Sequence, residues 1–235
     1  MDCVSANPKN EKEFATGSHD KTIIVWDAEA GKPKKTLTGN AQGIWNLNYF
    51  QDGARLISAS PEGICKVWDI RAGKATQVLK GAHTGRVYKA MLNGNDTMVA
   101  SCASDKKICI WDLRKSDKPV SVNEESKSCI MACDWTTDNT HVLSGTMYGI
   151  VNSLNVQSNK MVMHKDTNEM CPDQESNIIY SLRTVRNHPR SGNIFTMGVE
   201  NRLAYTIDYD HKAKFENWFL EIFQKYEGHH SAIRD

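Results

Sequence analysis

The sequence has almost no excess of either charge: 29 Lys and Arg against 28 Asp and Glu leave a formal net charge of +1. No strong overall field therefore draws the chain to nucleic acid or to a membrane surface. It also lacks an apolar run long enough to span a bilayer and a secretory leader pattern, so the expected location is cytoplasm or nucleus. Missing too are a phosphate loop, a Gly-x-Ser-x-Gly elbow, a His-Glu-x-x-His pair and a dinucleotide fingerprint. The histidines His19, His141, His164, His188 and His211 are scattered over turns and loops, and Asp208 and Asp210 flank Tyr209 with no partner base. No catalysis and no cofactor are expected. Seven cysteines are an odd number, and Cys65, Cys102, Cys109 and Cys133 sit inside apolar strand patterns, which suits buried reduced thiols. Cys129 and Cys133 lie four apart with no Cys/His pair nearby at zinc spacing, so no metal is expected.

What is present is a repeated pattern. From Gly81-Ala82-His83 to Trp111-Asp112 the chain reads as three strands separated by turns: Val87 to Leu92, Met98 to Cys102 and Lys107 to Trp111. His83, Ser101, Asp105 and Trp111 stand at offsets that fit one buried polar network. An imidazole and a carboxylate inside a sheet must satisfy each other, since each would otherwise cost roughly 2–7 kcal/mol to desolvate. The pattern recurs. Trp68-Asp69 precedes Trp111-Asp112 by 43 residues and Trp26-Asp27 precedes Trp68-Asp69 by 42, a period of four-stranded propeller blades. Aligned on tryptophan, Thr16, Ser58 and Ser101 coincide, as do Asp20, Glu62 and Asp105, and Asn40 falls where His83 falls.

On these residues the chain resembles the WD40-repeat family over nearly its whole length. The resemblance implies an all-β WD40 β-propeller fold: one repeat domain with repeats at 1–38, 39–80, 81–123, 124–164 and 177–227 and the start of another at 228–235. About five blades plus the start of a sixth are expected, a segment of a larger, seven-bladed ring. A ring completed by another polypeptide and an unusually small ring are the alternatives. An open arc would leave unpaired backbone and an apolar flank, so the isolated chain is expected to be aggregation-prone.

Within that scheme outer strands are expected at Lys35 to Thr38, Gln77 to Lys80 and Val120 to Asn123. The fourth repeat is decayed, with Tyr148 in place of the turn aspartate and Leu154 in place of the tryptophan. Lys165 to Asn177 reads as a loop. The fifth repeat is expected over Ile178 to Val185, Ile194 to Gly198 and Arg202 to Asp208. Phe215 to Tyr226 reads as a helical or irregular insertion before Phe223, then strand. Charge is uneven along the chain, about +5 from Met1 to Lys118 and about −4 beyond.

The resemblance implies binding of other proteins rather than catalysis. The candidate contact residues are Tyr88 and its repeat equivalents Asp2, Trp45, Met131, Tyr180 and Arg234, with Arg86 beside them; aromatic residues, Met and Arg are the types that anchor interfaces. Packing of Trp45 and Tyr88 between sheets is the alternative use. Trp68-Asp69-Ile70-Arg71 and Trp111-Asp112-Leu113-Arg114 look like the WDxR boxes of substrate receptors for cullin-4 ubiquitin ligases. That resemblance implies an adaptor contact by Arg71 and Arg114, whose rigid donor fork suits the role; a local salt bridge is the other reading. Nucleic-acid binding finds little support, because the basic residues are interspersed with acids.

Overall fold

Short runs rich in β-branched and aromatic residues, such as Ile23-Ile24-Val25-Trp26, alternate along the chain with turns in which the backbone reverses tightly. The computed structural model describes residues 3–115, 118–166, 182–187, 194–199, 204–209 and 220–226, and all its regular elements there are strands. In chain order they are β1 (Cys3–Ala6), β2 (Glu13–Gly17), β3 (Ile23–Asp27), β4 (Lys32–Leu37), β5 (Asn46–Tyr49), β6 (Arg55–Ala59), β7 (Cys65–Asp69), β8 (Lys74–Leu79), β9 (Val87–Leu92) and β10 (Met98–Ala103). There follow β11 (Ile108–Asp112), β12 (Ser121–Asn123), β13 (Ile130–Trp135), β14 (His141–Thr146), β15 (Ile150–Asn155), β16 (Lys160–Asp166), β17 (Leu182–Asn187), β18 (Ile194–Val199), β19 (Ala204–Tyr209) and β20 (Leu220–Tyr226). Each consecutive set of four forms one sheet, and the strand pairings are antiparallel. This is the all-β WD40 β-propeller class, with one sheet per blade.

The strands divide between two compact units, Met1–Val122 and Asn123–Asp235. In the first unit the blades are glued face to face by apolar side chains. Ala15, Ile23, Val25 and Leu37 of blade one pack with Leu47, Leu56 and Trp68 of blade two. In turn Ile57, Cys65, Val67 and Leu79 of blade two pack with Ala90, Val99 and Trp111 of blade three. Trp68 and Trp111 are each 1% exposed, and burying such a ring contributes several kcal/mol, about 3–5 by the loss on truncation. Polar side chains stitch the innermost strands together. Asn46 Oδ1 accepts from the Ala90 N–H at 3.0 Å, and Asn48 Nδ2 donates to the Ala90 carbonyl at 3.0 Å. The two amides of β5 thus take the place of a strand pairing where β5 and β9 diverge. Gly53, at φ +69, belongs to the same stitching: Asn7 Nδ2 donates to its carbonyl at 3.0 Å, and a Cβ there would lie 2.5 Å from Asn7 Oδ1.

Blade one presents one face differently. Register sets Val4 equivalent to Leu47 and Ala90, and the Phe14–Trp26 pair equivalent to Leu56–Trp68 and Val99–Trp111. Leu47 and Ala90 are buried, whereas Val4 is 54% exposed and Phe14 and Trp26 are half-buried, stacked on each other with ring centroids 6.2 Å apart.

Several strand limits differ from those expected. Blades one and two begin their outer strands at Lys32 and Lys74, three residues before Lys35 and Gln77. These are edge strands with one solvated face, and their first residues, Lys32-Pro33-Lys34 and Lys74-Ala75-Thr76, carry no apolar alternation to read. Pro33 is tolerated in β4 because it sits at a register shift on that edge. In the second unit β16 runs through Lys165 and Asp166, beyond the expected repeat end at 164 and into the segment read as loop. Leu220–Tyr226 is strand from its start, paired with β19, so the helical or irregular reading fails at 220–222 while the strand expected from Phe223 is found; 215–219 lie outside the described residues. Aromatic spacing that suits a helix face also suits a strand with a register shift, and β20 has one opposite Thr206/Ile207. The fourth and fifth repeats keep their sheets without Trp-Asp, since strand pairing does not depend on the polar network.

Candidate interaction surface

Blade three holds a continuous polar chain. Trp111 Nε1 donates to Ser101 Oγ at 2.8 Å, Ser101 Oγ lies 2.8 Å from His83 Nε2, and His83 Nδ1 lies 3.1 Å from Asp105 Oδ2. A carboxylate can only accept, so His83 carries its proton on Nδ1 and presents Nε2 as acceptor to the Ser101 hydroxyl. Every group then has a partner of the right kind, in a site where the His83 side chain is wholly buried. Asp105 also accepts from the Thr84 and Lys107 amides at 2.9 and 3.1 Å. Burial opposes its ionisation, but the hydrogen bond from His83, the electrostatic pull of that N–H and these two amides outweigh that, and its carboxyl is lowered to about 2.

The aligned residues of blades one and two are not brought together in this way. Trp26 donates to Thr16 Oγ1 at 2.8 Å and Trp68 to Ser58 Oγ at 2.9 Å, so that link is common to all three blades. Asp20 instead closes its own exposed turn, accepting from Thr22 N and Oγ1 at 2.9 and 2.6 Å. Its expected place in a buried network is therefore corrected: its carboxylate is exposed and held by Thr22. Glu62 lies near Ser60 and Lys66, and Asn40, too short to span both neighbours, reaches the Lys21 carbonyl at 3.5 Å. In blade four Ser144 takes the register position of Ser101, opposite Asn152 as Ser101 is opposite Cys109, and Leu154 takes that of Trp111. With no indole to bind, the buried Ser144 hydroxyl has no hydrogen-bond partner among the described residues.

The candidate contact residues of blades two and three meet at the end of the sheets where β5 and β9 begin. Trp45 precedes β5, with its N–H on the Ala59 carbonyl at 3.0 Å. Tyr88 occupies a bulge in β9: Val87 pairs with Ala103 and Lys89 with Cys102, leaving Tyr88 as the extra residue. A bulge re-aims a side chain, and the Tyr88 ring stacks on Trp45 with centroids 5.3 Å apart and planes 18° apart. The Arg86 guanidinium lies over the Trp45 ring, 5.9 Å from its centroid. Trp45 and Tyr88 are half-buried and Arg86 is exposed. The corner is pinned from below. Arg86 N donates to Ser104 Oγ at 2.8 Å and Arg86 O accepts from Ser104 N at 2.9 Å, while a Cβ on Gly85 would come within 2.7 Å of Asp105 N.

In the second unit the same register irregularity recurs. Met131 is the extra residue of β13, between Ile130 and Ala132, and is half-buried. In β17 the extra position is Arg183, between Leu182 opposite Val199 and Thr184 opposite Gly198. Tyr180, expected to be the equivalent of Tyr88, lies outside the described residues, as do Asp2 and Arg234, and the pairing assigns that position to Arg183. Alignment on the glycines Gly145 and Gly198, which share the register place of Cys102, would have found it.

At the opposite end of the sheets the two WDxR arginines behave differently. Arg114 grips Asp112 through two hydrogen bonds, Nε to Oδ1 and Nη2 to Oδ2, both 2.9 Å, and Lys115 stands 3.6 Å from the same carboxylate. The Arg114 hydrogen bond, assisted by its charge and its backbone amide, holds the Asp112 carboxyl well below the usual carboxylate range. Arg71 is exposed and has no ion-pair partner among the described residues; Asp69 accepts from the Ala72 amide instead. Since the Arg114 side chain is 64% exposed, its ion pair is a surface one, and Arg114→Ala is expected to shift the melting temperature by less than about 2 °C in a thermal denaturation scan.

Among the described residues no cluster of three or more His, Cys, Asp or Glu side chains could hold a metal, and no helix is long and apolar enough to cross a membrane. The family model described as "WD domain, G-beta repeat" matches residues 2–27, 31–69 and 73–112. Similar proteins include Protein tipD of Dictyostelium discoideum, 32% identical over 43% of this chain and 16% of that protein. Autophagy-related protein 16 of Arabidopsis thaliana is 29% identical over 65% of this chain and 30% of its own length. Probable coatomer subunit beta' of Schizosaccharomyces pombe is 29% identical over 46% and 14%. The chain thus spans under a third of the length of these relatives. Repeats matched at the spacing of the tryptophans, each folded as a four-stranded antiparallel blade, identify the first half of the chain, residues 2–112, as WD40 repeats.

Proposed function

We propose that the chain is a non-catalytic platform that holds other proteins in a multiprotein assembly, in the cytoplasm or nucleus, and that the Trp45–Tyr88–Arg86 corner is a contact point on it. The observation that carries this reading is the corner itself. Two half-buried aromatic rings and an exposed arginine, stacked and backed by fixed backbone, are the residue types and the preorganised state that interface anchors need. A relative whose name makes it a coatomer subunit is in keeping with a role inside an assembly. The test is proximity crosslinking in cells with the parent chain and a Trp45→Ser/Tyr88→Ser variant of matched thermal stability. Loss of a defined set of crosslinked proteins in the variant is expected; an unchanged set would remove the corner from the interface.

A second reading, substrate reception for a cullin-4 ubiquitin ligase, draws on the exposed Arg71 alone, because Arg114 is held by Asp112. It requires that the cullin-4 adaptor be recovered with the parent chain and lost with Arg71→Ala.

A further inference from the structure

The end of the first unit that carries the aromatic corner differs electrostatically from the opposite end. Its acids are each already engaged: Asp105 by His83 and two amides, Asp20 by Thr22, and Glu62 near Ser60 and Lys66. Several of its cations are not. Lys21, Lys80, Arg86 and Lys106 are exposed and have no ion-pair partner among the described residues. At the opposite end the cations Lys12, Arg55 and Arg114 pair with Glu29, Asp52 and Asp112, and Glu11, Asp27 and Asp69 are interspersed among the rest. Exposed cations without an ion pair among the described residues also stand at the opposite end, at Lys9, Lys32, Arg71 and Lys74, but they are mixed with these acids, whereas beside the rings every acid named is already engaged. Lys106 is tied to the corner through its turn: Ser104 is bonded to Arg86 on both sides, and Lys106 N donates to the Ala103 carbonyl.

We propose that this corner docks an acidic peptide segment, with an apolar side chain against the ring edges of Trp45 and Tyr88 and carboxylates facing Arg86 and Lys106. The inference rests on the platform reading of the same corner. Opposed potentials speed encounter and exclude wrong partners, and the fork of Arg86 matches a carboxylate. A nucleic acid strand is disfavoured by geometry, because stacking a base needs a bare ring face. Tyr88 already covers one face of the Trp45 ring, and the Arg86 guanidinium also lies over it.

The experiment measures binding of the full chain to arrays of short random peptides, of acidic, uncharged or basic composition around a fixed Leu or Phe, with single-stranded oligouridine RNA as a further probe. Acidic peptides are expected to be retained about tenfold better than uncharged ones, with the advantage fading as salt rises. The variant Arg86→Gln/Lys106→Gln, at unchanged melting temperature, is expected to lose that advantage, and Lys32→Gln/Lys74→Gln at the opposite end to keep it. Equal retention of acidic and uncharged peptides, no retention of any, loss of the advantage in the Lys32→Gln/Lys74→Gln variant, or tighter binding of the RNA would each overturn the proposal. The platform reading stands or falls separately, on the crosslinking of the Trp45→Ser/Tyr88→Ser variant.

Discussion

Replacing Ser101 with alanine is expected to lower the unfolding free energy by about 2–6 kcal/mol, while the same change at Ser144, its register twin in blade four, leaves stability unchanged or raises it by about 1 kcal/mol. The two hydroxyls occupy the same place in their sheets. In blade three the Ser101 oxygen accepts from Trp111 and its proton goes to His83, so Ser101→Ala leaves a buried indole N–H and a buried imidazole nitrogen unpaired, each at about 1–3 kcal/mol. In blade four the Ser144 hydroxyl is buried with no partner among the described residues, so removing it relieves a desolvation penalty and leaves no neighbour unsatisfied. Urea denaturation of both variants decides the matter. Equal losses at the two sites would mean that cavity formation, not the hydrogen-bonded chain, sets the stability of this position.

Asp105→Ala is the second large effect, expected at about 1–3 kcal/mol at neutral pH from the stranded Nδ1–H of the buried His83. The parent protein adds a pH signature. The Asp105 carboxyl is lowered to about 2 in the folded state, below the ordinary aspartate value of about 3.9. A depressed folded value means that the unfolded chain takes up the proton first. The contribution is therefore fully present above about pH 4 and is lost as the pH falls through about 2. Denaturation midpoints between pH 5 and pH 2 should converge for parent and Asp105→Ala as the acid limit is approached. The aligned acid Asp20 closes an exposed turn, and Asp20→Ala should leave the neutral-pH midpoint where it was. A loss at Asp20 as large as at Asp105 would show that the turn, and not the histidine, gives the carboxylate its importance.

The contrast between those two aspartates also marks how far the sequence is legible. The spacing of Trp26, Trp68 and Trp111 exposes the blades because each tryptophan fills the same slot, and the Ser/Thr ten residues earlier binds its indole in all three. The third and fourth members of the chain are not transferable by alignment. Their geometry depends on a histidine, and Asn40 in its place bonds elsewhere. The corner was half legible: Trp45, Arg86 and Tyr88 could be named from the repeat, but their mutual stacking arises from a bulge that no pattern of alternation reveals. In blade five the assignment to Tyr180 falls three residues before Arg183, because that repeat has no Trp-Asp to anchor the alignment. Outer strands were the least legible, since β4 and β8 are exposed edges built largely of polar residues.

The bulges carry a consequence for how such a chain can change. Tyr88, Met131 and Arg183 stand outside the residue-for-residue pairing of their strands, so an aromatic, a thioether and a guanidinium occupy one repeated position without altering the register on either side. Substitution there is buffered from the core: the variety of side chain at this position can drift, or be selected, while Trp68, Trp111 and their serines stay constrained by what they bury. Specificity and foldability are thereby written on separate letters of the same repeat, and each can be edited without erasing the other.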